Sequence, residues 1–570
     1  MIQKELKRVI IEVLDKLKIE APEIVLEHPA DLSHGDFSTN AALACAKRVG
    51  KNPRELAKQV ASEISKNQPK EIESVSVAGP GFINFKLSPK FLGEQVAKIA
   101  EDDNFGRNQS LKGKKIIVEY TDPNAFKPFH IGHLMANAIG ESLSRLVEFS
   151  GANIVRVCYP SDIGLHIAKA VWGCIKNKNN FPKDTDSLTV KTAFLGKAYV
   201  EGTARYEDDL EAKASIDTIN EQLFRRSDKA VLAVYEKGRS WSLDHFEVLY
   251  KRLGTKFDEY IYESEAAPEG LKIVKEFLDR GVFEMSEGAV VFHGEKRGLH
   301  TRVFVNSKGF PTYEAKDVGL NRIKFTKWNP DLSVIVTANE QNEYFKVVLA
   351  ALRDMYPDVA EKTKHVSHGI LRLPSGKMSS RTGNVITGES LLSAVEAMVH
   401  EKIAERELVT EEKNRIANEV SVGAIKYSIL RQAIGGDIIF DFEKSISFEG
   451  DSGPYLQYSY ARAQSVLRKA SSGKILEAKP PKLVGSEALV LKRLLVRFPE
   501  IVERSQKELS PHYVATYLIE IAGAFNNFYA NNKIIDSGEG EGYRLMLVKA
   551  FANVMKSGLY LLGIKSPEVM

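Results

Sequence analysis

The hydrophobic residues of this chain follow three successive patterns. Over the first hundred positions, apolar residues such as Leu6, Ile10 and Val13 recur at helical spacing, and an alternating stretch from Val75 to Leu87 follows. Short apolar runs then alternate with helical segments as far as about residue 388, which predicts parallel strands connected by helices. Beyond residue 390 nearly every segment is amphipathic at helical spacing, which predicts a bundle.

These patterns predict three domains. Residues 1–108 form an α+β domain, and residues 390–570 form an all-α helical bundle. Between them, residues 112–388 form an α/β domain with a Rossmann-like parallel sheet, interrupted by a charged, mostly helical insertion near 175–290. The fold class is therefore α/β, with an α+β domain before the Rossmann-like parallel sheet and an all-α helical bundle after it.

The stretch IIVEYTDPNAFKPFHIGH, Ile116 to His133, carries the first candidate chemistry. Its apolar start predicts a buried strand, and its two prolines keep the following backbone extended. A helical pattern begins after His133, so His130 and His133 are expected at the mouth of a helix beyond the carboxyl end of a strand. Phosphates bind at such positions, and Gly132 leaves room for a base to approach. The simpler alternative is a pair of capping histidines.

The alternating stretch Val75 to Leu87 predicts a hairpin that follows a polar loop, residues 30–40. One face, with Ile83 and Phe85, is expected to pack on the helices. Phe82 and Asn84 then point the other way, where an aromatic ring can stack on an unpaired base and an amide can bond its edge. An ordinary hairpin with one exposed aromatic residue is an equally open interpretation.

Two further segments combine flexibility or aromatic rings with positive charge. The loop LPSGKMSSRTGNVI, residues 373–386, carries Lys377 and Arg381, which can hold a leaving pyrophosphate. In the last domain Tyr455, Tyr458 and Arg462 can stack on and neutralise an RNA loop. A basic surface loop and core tyrosines are the alternatives.

Composition narrows the class of protein. The chain has 570 residues, 43% hydrophobic and 27% charged, with a net charge of only +4, so contact with nucleic acid must come from local patches. The three cysteines include no C-x-x-C pair, so neither a disulfide framework nor a protein-bound zinc ion is expected. The N-terminal pattern is charged throughout and no apolar stretch is long enough to cross a membrane. We therefore expect a cytoplasmic protein without membrane contact.

Taken together, these motifs resemble those of class I arginyl-tRNA synthetases over essentially the whole chain. His130 to His133 matches the HIGH element, and Lys377 to Arg381 matches KMSKS. Longer motifs are more specific to that family, and they are GDFSTN, AGPGFINFKL, VEYTDPNAFKPFH, PTYEAKDVGL and SFEGDSGPYLQYSYAR.

The resemblance implies an enzyme that activates L-arginine with ATP and Mg²⁺ and passes arginine to the 3′ end of its tRNA. It assigns catalysis to His130, His133, Lys377 and Arg381, with ATP also held by Gly132, Met378 and Ser379. Ser380 replaces the second lysine of KMSKS, and Lys127 is expected to take over its task. The residues expected to bind arginine are Glu119, Asn124, His133, Tyr313, Asp317 and Gln341.

The resemblance also implies which parts of the protein bind RNA. The first domain, through Phe82 and Asn84, would contact the D-loop of the tRNA, and the last bundle would contact its anticodon loop. A monomer that activates arginine only with tRNA present is expected. Two residues depart from the family: Ile163 stands where tryptophan is common, and Tyr344 stands where histidine is usual.

Three alternatives stay open on the sequence alone. The chain could be a class I synthetase for lysine or cysteine, or a nucleotidylyltransferase for a small metabolite. It could also be a non-catalytic RNA-binding paralogue, although His130, His133, Lys127 and Lys377 are all present.

Overall fold

The computed structural model describes residues 2–373, 387–470 and 485–570. The chain divides into two compact units. The first contains Met1–Phe105, Ala463–Phe498 and Glu520–Val554, and the second contains Gly106–Arg462, Pro499–Ile519 and Met555–Met570. Residues from both ends of the sequence therefore contribute to the first unit.

The first unit contains a three-stranded antiparallel sheet with Phe82–Leu87 in the middle, flanked by Phe37–Thr39 and Ile72–Ala78. The strand Phe37–Thr39 lies within the stretch that the sequence predicted to be a loop. The predicted alternation is confirmed on the inner face, where Ile83, Phe85 and Leu87 are buried. The helices that begin within the first hundred residues are Ile2–Lys16, Ala41–Ala46, Pro53–Lys66 and Pro89–Glu101.

The prediction that Asn84 lies on an exposed face of the hairpin is wrong. This residue is 4% exposed, whereas Phe82 at the start of the same strand is 37% exposed. Asn84 lies between Ser38 on one neighbouring strand and Ser76 on the other, because its strand is the central one. Alternation along a strand identifies two faces, but it does not tell whether the second face is covered.

Residues from late in the sequence complete the core of the first unit. Leu489 and Val496 pack against the hydrophobic cluster that the N-terminal helices and strands form. Arg493 makes a buried ion pair with Asp36, with 2.9 Å between its Nε and Oδ1 of the carboxylate. Asn553 donates to the carbonyl oxygen of Ile99, 454 positions away along the chain.

The second unit is built on a five-stranded sheet in which every neighbouring pair is parallel. Its strands, in spatial order, are Thr363–His368, Leu332–Ala338, Lys115–Tyr120, Asn153–Cys158 and Glu259–Tyr260. The central strand Lys115–Tyr120 has the continuous apolar run expected of a strand covered on both faces, and Ile116, Ile117 and Val118 are buried. The predicted parallel sheet is thus confirmed.

Helices cover this sheet and form the insertion. Within the predicted insertion, near 175–290, the structure has the helices Leu188–Asp208, Leu210–Arg225 and Lys229–Leu253. The predicted bounds also include strands. Glu259–Tyr260 belongs to the parallel sheet, and Glu284–Ser286 begins a separate antiparallel sheet that continues with Ala289–Phe292 and Arg302–Val305. The other helices up to residue 361 are Ile131–Phe149, Leu165–Lys176, Glu263–Asp279, Tyr313–Trp328, Asn342–Met355 and Pro357–Glu361.

The C-terminal part is helical, as predicted. Its only strand pair in the described residues is Leu371–Arg372 with Ile438–Ile439. Its helices are Gly388–Lys402, Thr410–Leu430, Phe442–Ser445, Gly453–Lys469, Ser486–Glu508, His512–Asn531 and Glu541–Leu561. Across residues 2–373, 387–470 and 485–570, none of the helices is both long and apolar enough to span a bilayer.

Candidate active site

A cavity of about 660 Å³ lies at the carboxyl ends of the parallel strands in the second unit. Thr121, Asp122 and Asn124 reach it just after the central strand, and Tyr159 reaches it after the next strand. This edge of a parallel sheet is where ligands bind in α/β proteins. Eight residues of the sequence-predicted site line the cavity, and they are Glu119, Asn124, His130, Gly132, His133, Tyr313, Asp317 and Gln341.

His130 and His133 cap the helix Ile131–Phe149 reciprocally. Nδ1 of His130 accepts from the backbone N–H of His133 at 3.4 Å, and Nδ1 of His133 accepts from that of His130 at 3.3 Å. The two rings stack with centroids 3.5 Å apart. Because each Nδ1 is an acceptor, a neutral ring carries its proton on Nε2. The pair therefore caps the helix and still offers two Nε2–H donors.

Both imidazoles are held neutral at physiological pH. Desolvation by neighbouring protein atoms, followed by the nearby charge of Lys127, lowers the pKa of His130 to about 4, even though the residue as a whole is exposed. Burial, then His130 and then Lys127, lower the pKa of His133 well below its usual value. Neutral N–H donors at a helix N-terminus suit phosphate oxygens, since the helix dipole adds positive potential there.

Gly132 is required by the histidine pair itself. A Cβ atom at this position would lie 2.9 Å from Cε1 of His130 and 3.0 Å from its Nδ1, which is closer than real Cβ contacts. Any larger residue therefore displaces the His130 ring. The sequence suggested that this glycine leaves room for a base. The structure shows that it also leaves room for the His130 ring, whose Nδ1 caps the helix.

Asp317 is held by a residue outside the predicted set. It lies in the second turn of the helix Tyr313–Trp328, and its Oδ2 accepts a hydrogen bond from the Tyr344 hydroxyl at 2.6 Å. Burial raises the pKa of this carboxyl group to about 7; the hydrogen bond from Tyr344 opposes that rise and the charge of Glu119 adds to it. The sequence marked Tyr344 only as a departure from the family.

Glu119 is already paired with a lysine. Its Oε2 accepts from Nζ of Lys324 at 2.6 Å, and the Lys324 side chain is 0% exposed. Lys324 follows Asp317 by two turns of the same helix, so one helix supplies both a carboxylate of the cavity and the partner of another. The helical period predicts that the two residues share a face, but the pairing with Glu119 depends on the tertiary fold.

The wall of the cavity is strongly acidic. Among the described residues, its lining includes five carboxylates and one guanidinium, that of Arg302, whose Nη1 lies 3.3 Å from Glu314. The carboxylates are Glu119, Asp122, Glu314, Asp317 and Glu340. Glu119 is paired with Lys324, and burial raises the pKa of both Asp122 and Asp317, so a cationic ligand would be the partner that holds these carboxylates in their ionised form. A planar guanidinium matches paired carboxylate oxygens best, because its N–H groups form a fixed fork.

Lys127 lies beside the cavity. Its Nζ is 4.7 Å from the ring centroid of Tyr199, which belongs to the insertion helix Leu188–Asp208. It is nevertheless close enough to depress the pKa of both histidines. The other residues predicted to hold the phosphates, Lys377, Met378, Ser379 and Arg381, are outside the described residues, as is Ser380.

The predicted RNA-contacting residues are not among those that line this cavity. Phe82 belongs to the first unit, and its ring is partly exposed. Tyr455, Tyr458 and Arg462 are half-buried on one face of the helix Gly453–Lys469, and the guanidinium of Arg462 lies 4.8 Å from the Tyr458 ring centroid. An aromatic ring with an adjacent guanidinium can stack on a base.

Side chains that could ligate a metal are scattered. Within the part of the chain that the structure describes, no group of three or more histidine, cysteine, aspartate or glutamate side chains is arranged to hold a metal ion. The three cysteines are all buried thiols.

Comparison with known families agrees with this geometry. Residues 95–442 match the model described as tRNA synthetases class I (R), catalytic domain, residues 456–570 match the DALR anticodon binding domain, and residues 1–87 match the arginyl tRNA synthetase N terminal domain. A parallel sheet with a histidine pair at its carboxyl edge and these three matches define a class I aminoacyl-tRNA synthetase, which is an ATP-using ligase.

Curated relatives give the particular family. The chain is 32% identical to an arginine–tRNA ligase of Clostridium perfringens and 31% identical to one of Treponema pallidum; each alignment covers 97% of this chain and at least 96% of the relative. This chain belongs to the arginyl-tRNA synthetase family. A solved arginyl-tRNA synthetase of Thermus thermophilus shares the fold over the full length of both chains, with a TM-score of 0.82 at 23% identity.

Proposed function

We propose that the acidic cavity binds L-arginine and that the histidine pair beside it promotes attack on ATP. The first step forms arginyl-adenylate and pyrophosphate, and the second passes arginine to the 3′-terminal ribose of its tRNA. The observation that carries this proposal is that carboxylates and two neutral Nε2–H donors line the same cavity.

Asp317 would read the guanidinium, with Tyr313 and Gln341 beside it. Glu119 and Asn124, helped by His133, would hold the ammonium and carboxylate end of arginine. Lysine would be rejected strongly, because its ammonium leaves the acceptors meant for a guanidinium fork unpaired in a buried site.

Activation requires attack of the arginine carboxylate on the α-phosphate, with pyrophosphate leaving. Negative charge grows on the phosphate oxygens in the transition state, so preorganised donors contribute most of the rate. His130 and His133 would donate from Nε2 to the α-phosphate. Lys127, Lys377 and Arg381 would neutralise the leaving pyrophosphate, while Gly132, Met378 and Ser379 border the nucleotide.

Mg²⁺ would arrive with ATP, where it neutralises charge on the phosphate oxygens. For Lys127 to reach the phosphates, its Nζ has to leave the face of the Tyr199 ring. Such a contact at a partly exposed site is worth only about 0.5–1 kcal/mol, so a polyphosphate competes with it easily.

RNA contacts would come from both ends of the chain. Phe82 stays a candidate for the D-loop of the tRNA, whereas the burial of Asn84 removes it from an open docking face. Tyr455, Tyr458 and Arg462 are candidates for the anticodon loop. A requirement for tRNA in arginine activation, action as a monomer and location in the cytoplasm are predictions that rest on the family resemblance.

The experiment is pyrophosphate exchange with ATP and tRNA over the standard amino acids, on the wild type and on Asp317→Asn. We expect the wild type to catalyse exchange with arginine and with no other amino acid. In the Asp317→Asn variant, kcat/KM for arginine should fall roughly a hundredfold or more, because truncating one partner of a buried charge pair costs about 2–5 kcal/mol. The matched control is Asp358→Asn, an exposed carboxylate in the first turn of another helix. Exchange with a different amino acid, or an unaffected Asp317→Asn variant, would contradict the proposal.

A further inference from the structure

We propose that Tyr344 is a positioning residue of the arginine pocket: its hydroxyl holds Oδ2 of Asp317 and so presents Oδ1 to the guanidinium. This inference rests on the proposed role of Asp317 as the residue that reads the guanidinium. Tyr344 itself need not touch arginine, so its effect should pass entirely through the carboxylate.

The geometry supports a fixed carboxylate. The Tyr344 hydroxyl lies 2.6 Å from Oδ2 of Asp317. Within the described residues, no other group donates a hydrogen bond to this carboxylate. Asp317 can otherwise rotate, because the terminal torsion of an aspartate is broad and roughly two-fold. A donor on one oxygen removes this freedom and leaves the second oxygen for the ligand.

The tyrosine ring is itself held in place. Tyr344 is 9% exposed, lies in the first turn of the helix Asn342–Met355 and packs edge-on against Phe345, with centroids 5.1 Å apart. The guanidinium of Arg302 lies over the ring at 5.7 Å. A tyrosine has only two side-chain torsions, so packing from two sides fixes where its hydroxyl points.

The electrostatic surroundings make this donor important. Besides burial, Glu119 on the central strand and Glu263 on the helix Glu263–Asp279 raise the pKa of Asp317, and Lys324 on its own helix lowers it. Both glutamates are ion-paired, Glu119 with Lys324 and Glu263 with Lys316. The other titratable groups that interact with Asp317 are Asp122, Tyr159, Tyr313 and Tyr344, and Glu314 acts on the two last-named tyrosines. Burial keeps the pKa of Tyr344 well above its usual value, so its hydroxyl donates throughout the working pH range. A permanent donor favours the ionised form of Asp317.

This arrangement predicts a dependence on pH. The pKa of Asp317 is about 7 with the hydrogen bond in place. The ionised carboxylate can accept from Tyr344 at Oδ2 and from the guanidinium at Oδ1 while its charge attracts the guanidinium, so KM for arginine should fall as the pH rises through 7. Removing the hydroxyl should raise this pKa further and move the whole profile to higher pH.

The test compares Tyr344→Phe, Asp317→Asn and the double variant in tRNA-supported pyrophosphate exchange at several pH values, below the melting midpoint of each protein. We expect KM for arginine to rise roughly ten- to a hundredfold in Tyr344→Phe, as for loss of a hydrogen bond to a charged group, with little change in KM for ATP. In the Asp317→Asn background the second substitution should add nothing further. Tyr206→Phe is the matched control, since Tyr206 donates to Asp217 at 3.1 Å in the insertion.

Each outcome separates the two proposals. If Asp317→Asn impairs arginine use while Tyr344→Phe keeps the wild-type KM and pH profile, the positioning role is refuted and the proposed function stands. Effects of the two substitutions that are independent and additive would also refute it, because Tyr344 would then act by another route. If Asp317→Asn leaves arginine use unchanged, the proposed function fails first.

Discussion

Replacing Gly132 with alanine should abolish most activity while barely changing stability. The added Cβ would lie 2.9 Å from Cε1 of His130, inside any normal contact distance, so the imidazole has to move by several tenths of an ångström. That shift breaks the bond from the His133 N–H to Nδ1 of His130, already long at 3.4 Å. It would also move the Nε2–H donor away from the position proposed for the α-phosphate.

The two effects on folding nearly cancel. Loss of a side-chain cap costs about 1 kcal/mol. Alanine in place of glycine within a helix contributes up to about 1 kcal/mol in the opposite direction. Catalysis has no such compensation, because a misplaced donor to a developing oxyanion costs roughly 10²- to 10³-fold in kcat.

The assay is pyrophosphate exchange beside a thermal melt. Gly93→Ala is the control, since a Cβ on this glycine of the helix Pro89–Glu101 would meet no neighbouring segment of the described chain within 4 Å. That substitution should stabilise the protein by about 0.5–1 kcal/mol without loss of activity. A Gly132→Ala enzyme with wild-type kcat would refute the argument that the histidine rings need this glycine.

Two further predictions concern stability. Lys324→Met leaves Glu119 buried without its partner and should lower the free energy of unfolding by about 3–5 kcal/mol in urea titrations, with Glu119→Gln added to the same chain restoring part of the loss. The pKa of His130 is about 4 in the folded state, which lies below its value of about 6.5 in the unfolded chain. The neutral ring therefore contributes to stability above about pH 6.5, and this contribution is lost as the pH falls towards 4. His130→Asn keeps a capping acceptor but cannot titrate, so its melting temperature should fall less between pH 7 and pH 5 than that of the wild type; equal slopes would contradict the assignment.

Local sequence patterns were sufficient for the framework of the site. The apolar run Ile116 to Val118 is long enough for a strand and is followed by prolines and then by a helical period, and the structure has that order. The parallel sheet places the ends of separate strands at one edge, so residues far apart in sequence meet there. Six of the eight predicted residues that line the cavity lie on or shortly after strands of this sheet, whereas Tyr313 and Asp317 come from the helix Tyr313–Trp328.

The partners of those residues could not be predicted in the same way. Tyr344 lies 27 positions after Asp317 on a different helix, and Lys324 lies 205 positions after Glu119. Neither pairing leaves a local signal, since each depends on how helices pack across the sheet. Histidine is also not among the usual N-cap residues, so the reciprocal cap of His130 and His133 was only an alternative in the sequence.

The first unit has a consequence for synthesis of the chain. Asn553 reaches the carbonyl oxygen of Ile99 only after 454 further positions have been translated, and Arg493 meets Asp36 almost as late. At about 5–20 residues per second, the N-terminal segment waits on the order of 20–90 s with part of its hydrophobic surface uncovered. We therefore expect the core of the first unit to be completed only when its late segments emerge from the ribosome.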